Sequence, residues 1–104
     1  MRSRLAVFVA AAAFVGGCSE TPTDSLAERG RHVYLAQCTQ CHAVDPSQPG
    51  PVGPPVTGSS RELLEARILK GSYPPGYKPK RPTNVMPPQP SLAPEIPALA
   101  AYLK

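Results

Sequence analysis

The sequence has no tryptophan, and its six aromatic side chains, four Tyr and two Phe, are few for the interior of a 104-residue chain. No stretch alternates apolar and polar residues as a half-buried strand does, which argues against a sheet. The longest uncharged apolar run, the eleven residues from Leu5 to Val15, is too short to span a bilayer. Charge is modest as well. The formal net charge is +4, or +2 once Arg2 and Arg4 are set aside, too mild to point to nucleic acid. What is abundant is proline: 15 residues, 14 of them between Pro46 and Pro97, which excludes most long regular elements from that stretch. One domain of this size has a thin hydrophobic core, so a bulky cofactor would supply the missing interior.

Residues 1–17 read as a targeting segment. Met1-Arg2-Ser3-Arg4 is a basic leader, and Leu5 to Val15 has the length of a signal-peptide core. Val15-Gly16-Gly17-Cys18 resembles a bacterial lipobox, in which cleavage before the Cys leaves it to carry acyl chains; the plainer reading is an ordinary cleavage site with a Cys nearby. Three cysteines in an exported chain leave one unpaired, and lipidation of Cys18 would consume it. Two or more acyl chains anchor a protein stably to a membrane. Residues 18–24 would form a short polar linker, leaving a domain at 25–104 held near an inner or outer membrane, on the periplasmic side.

Within that domain three helices are expected, at about 25–42, 60–71 and 92–103, an all-α class. Ser25-x-x-Glu28 has the form of a capping box, and Leu26, Gly30, Val33, Tyr34, Gln37 and Cys41 fall on one helical stripe. Ser59-x-x-Glu62 is a second box, followed by Leu63, Leu64 and Ile68, with Gly71 where a left-handed cap belongs. Ile96, Leu99 and Leu103 repeat at i, i+3 and i+7, although Pro94 and Pro97 leave the start of that helix open. Ser72 to Pro90 carries seven prolines and no stripe, which suits a segment wrapped around something.

The chemistry is concentrated in Cys38-Thr39-Gln40-Cys41-His42. Two thiols at this spacing suit thioether bonds to the two vinyl groups of one haem, and the adjoining imidazole suits the iron. A chance match would occur in roughly one shuffled sequence per thousand. A thioredoxin-like pair would need strands that are not seen. Zinc would need a fourth ligand, for which His32, distant carboxylates and Cys18 are the candidates. A plain Cys38–Cys41 disulfide closes too small a loop to explain the fold.

From Gly30 to Leu103 the chain resembles a class I cytochrome c of the short bacterial type. Gly30 and Tyr34 match the family's Gly and aromatic on the first helix, and Tyr102 matches the aromatic on the last, where the two helices cross closely. Gly53-Pro54-Pro55-Val56-Thr57-Gly58 is similar to the family's Gly-Pro-x-Leu-x-Gly loop, with Val56 in place of Leu. The resemblance implies a cytochrome c fold around one covalent haem c, and a Pro54 carbonyl that accepts the proximal His N–H.

Met86 would be the sole methionine after signal-peptide removal, and it lies in the proline-rich wrap before Pro87. Its thioether is the expected distal ligand. His32, six residues before Cys38 on the same helix, is expected at the surface. Asn84 has two open roles, an amide donor to the Met86 sulfur or a partner of turn backbone. With His42 and Met86 on the iron no coordination position is open to substrates, so the expectation is a single-electron carrier in a respiratory or related chain, not an enzyme. Two alternatives stand beside it: a five-coordinate haem sensor or peroxidase-like enzyme, and a permanent electron-relay subunit of a dehydrogenase or oxidase. Lys70, Lys78, Lys80 and Arg81 gather before Met86. They would steer an acidic redox partner, meet haem propionates, or simply be solvated, and Tyr73 and Tyr77 would reach propionates or pack on the porphyrin. A monomer or a small subunit is expected.

Overall fold

The computed structural model describes residues 9–13, 16–17 and 22–104, with backbone alone at Pro22 and Thr23. Arg2, Arg4 and Cys18, on which the export and lipidation expectations rest, lie outside the described residues. Among the described residues there are helices and no strands, and no helix is long and apolar enough to cross a membrane.

Helix α1 spans Pro22–Gln37, three residues ahead of the expected start and five short of the expected end. Pro22 opens it at a position that needs no backbone donor. The expected capping box therefore falls inside the helix, where Glu28 instead reaches Arg31 and His32, each at 3.1 Å. The stripe is also narrower than its pattern: Gly30 and Tyr34 are buried, whereas Leu26 and Gln37 are exposed. Beyond Gln37 the chain tightens into turns, with Cys41 N and His42 N both donating to Cys38 O at 3.3 and 3.0 Å.

Helix α2, Arg61–Leu64, is capped by Ser60, whose Oγ accepts from Leu63 N at 3.1 Å. The expected cap, Ser59, donates its hydroxyl to Val56 O at 2.6 Å. The helix then widens into a π-helical stretch, Glu65–Leu69, and stops at Gly71, whose φ of 63° requires a residue without a Cβ. The third helix is two elements in sequence. Pro90–Glu95 is 3-10 and contains Pro94, while α3, Ile96–Tyr102, takes Pro97 in its first turn. Pro97 thus sits where a missing N–H costs little, whereas Pro94 lies inside the 3-10 turn and keeps that element from being α-helical.

The core is small: Tyr34, Leu64, Ile68, Ile96, Leu99 and Leu103 are buried together. Its closest contact is the crossing of α1 and α3 at Gly30. A Cβ there would overlap the Ala98 carbonyl and come within 2.8 Å of Tyr102 Cβ. The Tyr34 and Tyr102 rings meet beside it with centroids 5.6 Å apart. Among the described residues, this crossing and the loops between the helices leave one side of the core open as a cavity.

Candidate functional site

The cavity, of about 380 Å³, is lined by Cys38, Cys41, His42 and Met86 together with apolar side chains that include Leu64, Ile68 and Leu99. The four chemistry-bearing residues come from two separate places in the chain. Cys38, Cys41 and His42 stand on the turns that end α1, and Met86 on the wrap that precedes the last helix. Both cysteines are half-buried, and neither is joined in a disulfide. Before haem is attached, burial pushes the Cys38 thiol up to about 11. Among the described residues no three His, Cys, Asp or Glu side chains converge as ligands of a single ion.

The orientation of His42 is set by the loop at 50–55. Cys41 O accepts from Val52 N at 3.1 Å and Gly53 N at 2.7 Å, which draws the loop back across the ring. A Cβ at Gly53 would lie 2.5 Å from His42 Nδ1 and 2.8 Å from Nε2, so only glycine allows the backbone this close. The next carbonyl, Pro54 O, lies 2.9 Å from His42 Nδ1. A carbonyl can only accept, so Nδ1 carries the proton and Nε2 keeps its lone pair for a metal. From the other direction Tyr34 donates its hydroxyl to Ala43 O at 2.5 Å, tying the buried face of α1 to the residue after His42. Burial raises the Tyr34 phenol to about 12.

The wrap presents the rest of the wall. Pro74-Pro75-Gly76-Tyr77 forms a tight turn, with Tyr77 N donating to Pro74 O at 3.1 Å and Gly76 at φ 77°. That turn stacks Tyr73 on Tyr77 at 5.5 Å, with the planes 10° apart, and both line the cavity. Arg67, which sequence reasoning passed over, is buried against them. Its guanidinium lies 4.2 Å from the Tyr73 ring centre and donates to Gly71 O at 3.0 Å. The signal was present: Leu64, Arg67 and Ile68 share one helical face, and a cation on an apolar face needs a partner. Asn84 is exposed, outside the cavity, and makes no hydrogen bond to Met86. It borders an outer recess shared with Lys78, Lys80 and Arg81. His32 is exposed and paired with Glu28, away from the cavity.

Over residues 25–103 the sequence matches the family described as cytochrome c oxidase, cbb3-type, subunit III. The chain belongs to this family of c-type cytochromes. The solved structure of the c-type cytochrome NirC is 31% identical, with 73% of this chain and 85% of that one covered and a TM-score of 0.48. No curated protein matches. The cytochrome is thus of class I, all-α, with one covalently bound haem c and a role in electron transfer. Its residues fit that group. The two thiols and the imidazole line one cavity, which falls in the size range of cofactor pockets. Gly53 and Pro54 hold the imidazole as a metal ligand is usually held.

Proposed function

We propose that this cytochrome is a single-electron carrier whose haem is attached through Cys38 and Cys41 and whose iron is held by His42 and Met86. When bound, the haem supplies a reversible one-electron iron couple. The observation that carries the reading is that Met86, from a distant part of the chain, lines the same cavity as His42 and both cysteines. Its soft thioether would favour the ferrous state and, together with Nε2 of His42, would leave the iron no site for a reacting molecule. The second-place role of Pro54 O is to keep the His42 ring turned and its Nε2 basic. No chemistry beyond electron transfer is assigned to these residues, so the protein is read as a carrier and not an enzyme.

Charge supports a directed encounter. The ion pairs among the described residues join Arg29 to Glu95, Arg31 and His32 to Glu28, and Arg61 to Glu65. None of them involves Lys70, Lys78, Lys80 or Arg81; of these, Lys80 and Arg81 line the cavity and Lys78 borders the outer recess, so among the described residues the positive charge beside the cavity has no carboxylate paired with it. Val52 and Val85, exposed on the cavity wall, give the mouth an apolar contact surface. A partner with an acidic face around its own redox centre fits this rim, with association weakening as salt rises. Export to the periplasm with a lipid on Cys18 completes the proposal; it rests on the sequence of residues 1–18.

A second reading is favoured by one observation, the family's description as an oxidase subunit. In that case the electron passes within a lasting complex, and the protein would leave a mild membrane extract with a fixed partner. The test of the main reading is the ferric absorption spectrum of the haem-loaded protein. We expect a weak far-red band from thioether-to-iron charge transfer, lost in Met86→Ala. Its absence, together with rapid carbon monoxide binding by the reduced protein, would overturn Met86 ligation in favour of a sensor or peroxidase-like role.

A further inference from the structure

We propose that Arg81 and Lys80 strap the segment carrying Met86 onto the loop that orients His42, and that the hold of Met86 on the iron depends on this strap. The inference rests on Met86 being a ligand, as read above.

The wrap has almost no hydrogen bonding of its own. It is tied at its ends, where Ser72 N donates to Ala66 O at 3.0 Å and Gln89 N to Ile68 O at 2.6 Å, and the turn at Tyr77 adds one bond. Between Lys78 and Pro88, eleven residues that include Met86, no backbone group bonds to another backbone group among the described residues. Four of these residues are prolines, which have no N–H to offer. A segment of this kind is held in place only by its side chains.

Three side-chain bonds do so, all to one acceptor loop. Lys80 Nζ donates to Pro55 O at 2.8 Å. The Arg81 guanidinium forks, donating to Val52 O through one nitrogen and to Gly50 O, at 3.4 Å, through the other. Gly50 N in turn donates to Gly53 O at 2.9 Å, and Pro54 O accepts from His42. The carbonyls that receive the strap therefore belong to the loop that turns the proximal imidazole. The fixed fork of Arg can bridge two carbonyls, which the single ammonium of Lys cannot. Arg81 also lines the cavity, so its charge alone is a competing cause, and the test separates charge from attachment.

The haem-loaded protein is compared with Arg81→Met, Lys80→Met, the double variant, Arg81→Lys and Lys78→Met. Lys78 is exposed on the same segment and makes no hydrogen bond to another described residue, so Lys78→Met removes equal charge and no attachment. The readouts are the far-red ferric band, the rate of carbon monoxide binding to the reduced protein, and thermal unfolding followed by helical circular dichroism. In the double variant we expect a weakened band and roughly fivefold to tenfold faster carbon monoxide binding, with unfolding little changed. Arg81→Lys should recover part of the effect and Lys78→Met should show none. The strap is overturned if the double variant keeps the wild-type band and rate, or if Lys78→Met matches Arg81→Met, which would assign the effect to charge. A wild-type protein without the band would instead remove the Met86 reading itself, before any variant is compared.

Discussion

The α1–α3 crossing and the wrap at residues 72–89 are held by opposite means. The crossing is backbone against backbone: Gly30 lies on the Ala98 carbonyl, and Tyr34, Ile96 and Leu99 are buried around it. The wrap is largely exposed, lacks regular structure, and is pinned by a turn, an aromatic stack and charged side chains that reach carbonyls. Burial supplies most of the favourable free energy of folding, so the crossing should govern whether the protein is folded. The wrap should govern what the metal centre does once it is.

The sharpest way to break that contrast is a pair of glycine substitutions. Gly30→Val forces side-chain atoms into the Ala98 carbonyl and the Tyr102 Cβ, neither of which can swing aside. We expect a loss of about 3 kcal/mol or more in urea unfolding. Gly76→Ala meets no neighbouring atom, so its cost is confined to a φ of 77°, about 1 kcal/mol. Equal costs at the two sites would mean that the crossing is not the stabilising region.

These two regions also differ in how far the sequence revealed them. Periodicity is the signature of burial, and it identifies Leu64, Ile68, Ile96, Leu99 and Leu103 as core, while Gly30 as a crossing point follows from the resemblance to class I cytochromes c. Helix ends were less legible. Ser25 and Ser59 begin motifs that fit a capping box, but Pro22 starts the first helix and Ser60 caps the second, because several polar residues near an end compete for one role. Cys38-x-x-Cys41-His42 was plain from local spacing, and Met86 was singled out by its rarity. The bonds of Arg81 to Gly50 and Val52, some thirty residues away, left no local pattern to read, and neither did the widening of the second helix that accompanies the burial of Arg67.

Arg67 sharpens the comparison, since it belongs to a helix yet faces the wrap. Its guanidinium lies over Tyr73 and on the cavity wall, where a fixed positive charge disfavours oxidation of a nearby metal. Arg67→Leu should lower the reduction potential by roughly tens of millivolts, with the far-red band retained. Because Leu suits the apolar face, the unfolding free energy should change by less than about 1 kcal/mol. Voltammetry and urea titration of the same sample check both halves, and an unchanged potential would show that the charge is neutralised at the site.

Tyr34 tests the frame where it meets the turns that carry Cys38, Cys41 and His42. Tyr34→Phe removes the bond to Ala43 O and should cost about 1 kcal/mol. The phenol is raised by burial to about 12 in the folded protein, above its ordinary 10, so above pH 10 the unfolded chain loses the proton first. Stability linked to this group is complete below about pH 10 and falls away as the pH approaches about 12. The wild-type protein should lose stability over that window and Tyr34→Phe should be flatter.

The smallest expected effect is at the far edge of the frame. Arg29 and Glu95 join α1 to the start of α3 through a pair of short bonds, the longer of them 2.8 Å. The hydrogen bond from Arg29, reinforced by its charge, holds the Glu95 carboxyl below the usual carboxylate range. Its contribution is therefore present above the unfolded value near 4.5 and is lost as pH falls through the folded value. Solvent screens the Arg29 side of the pair, which is 65% exposed, so Glu95→Gln should lower the melting temperature by a few degrees at most near neutral pH. That difference should shrink in high salt and disappear in acid, once the pH has fallen below the lowered folded value and the wild-type carboxyl is itself protonated. If it persists in acid, the side chain acts through packing at the crossing and not through charge, which would make the frame still more a matter of shape.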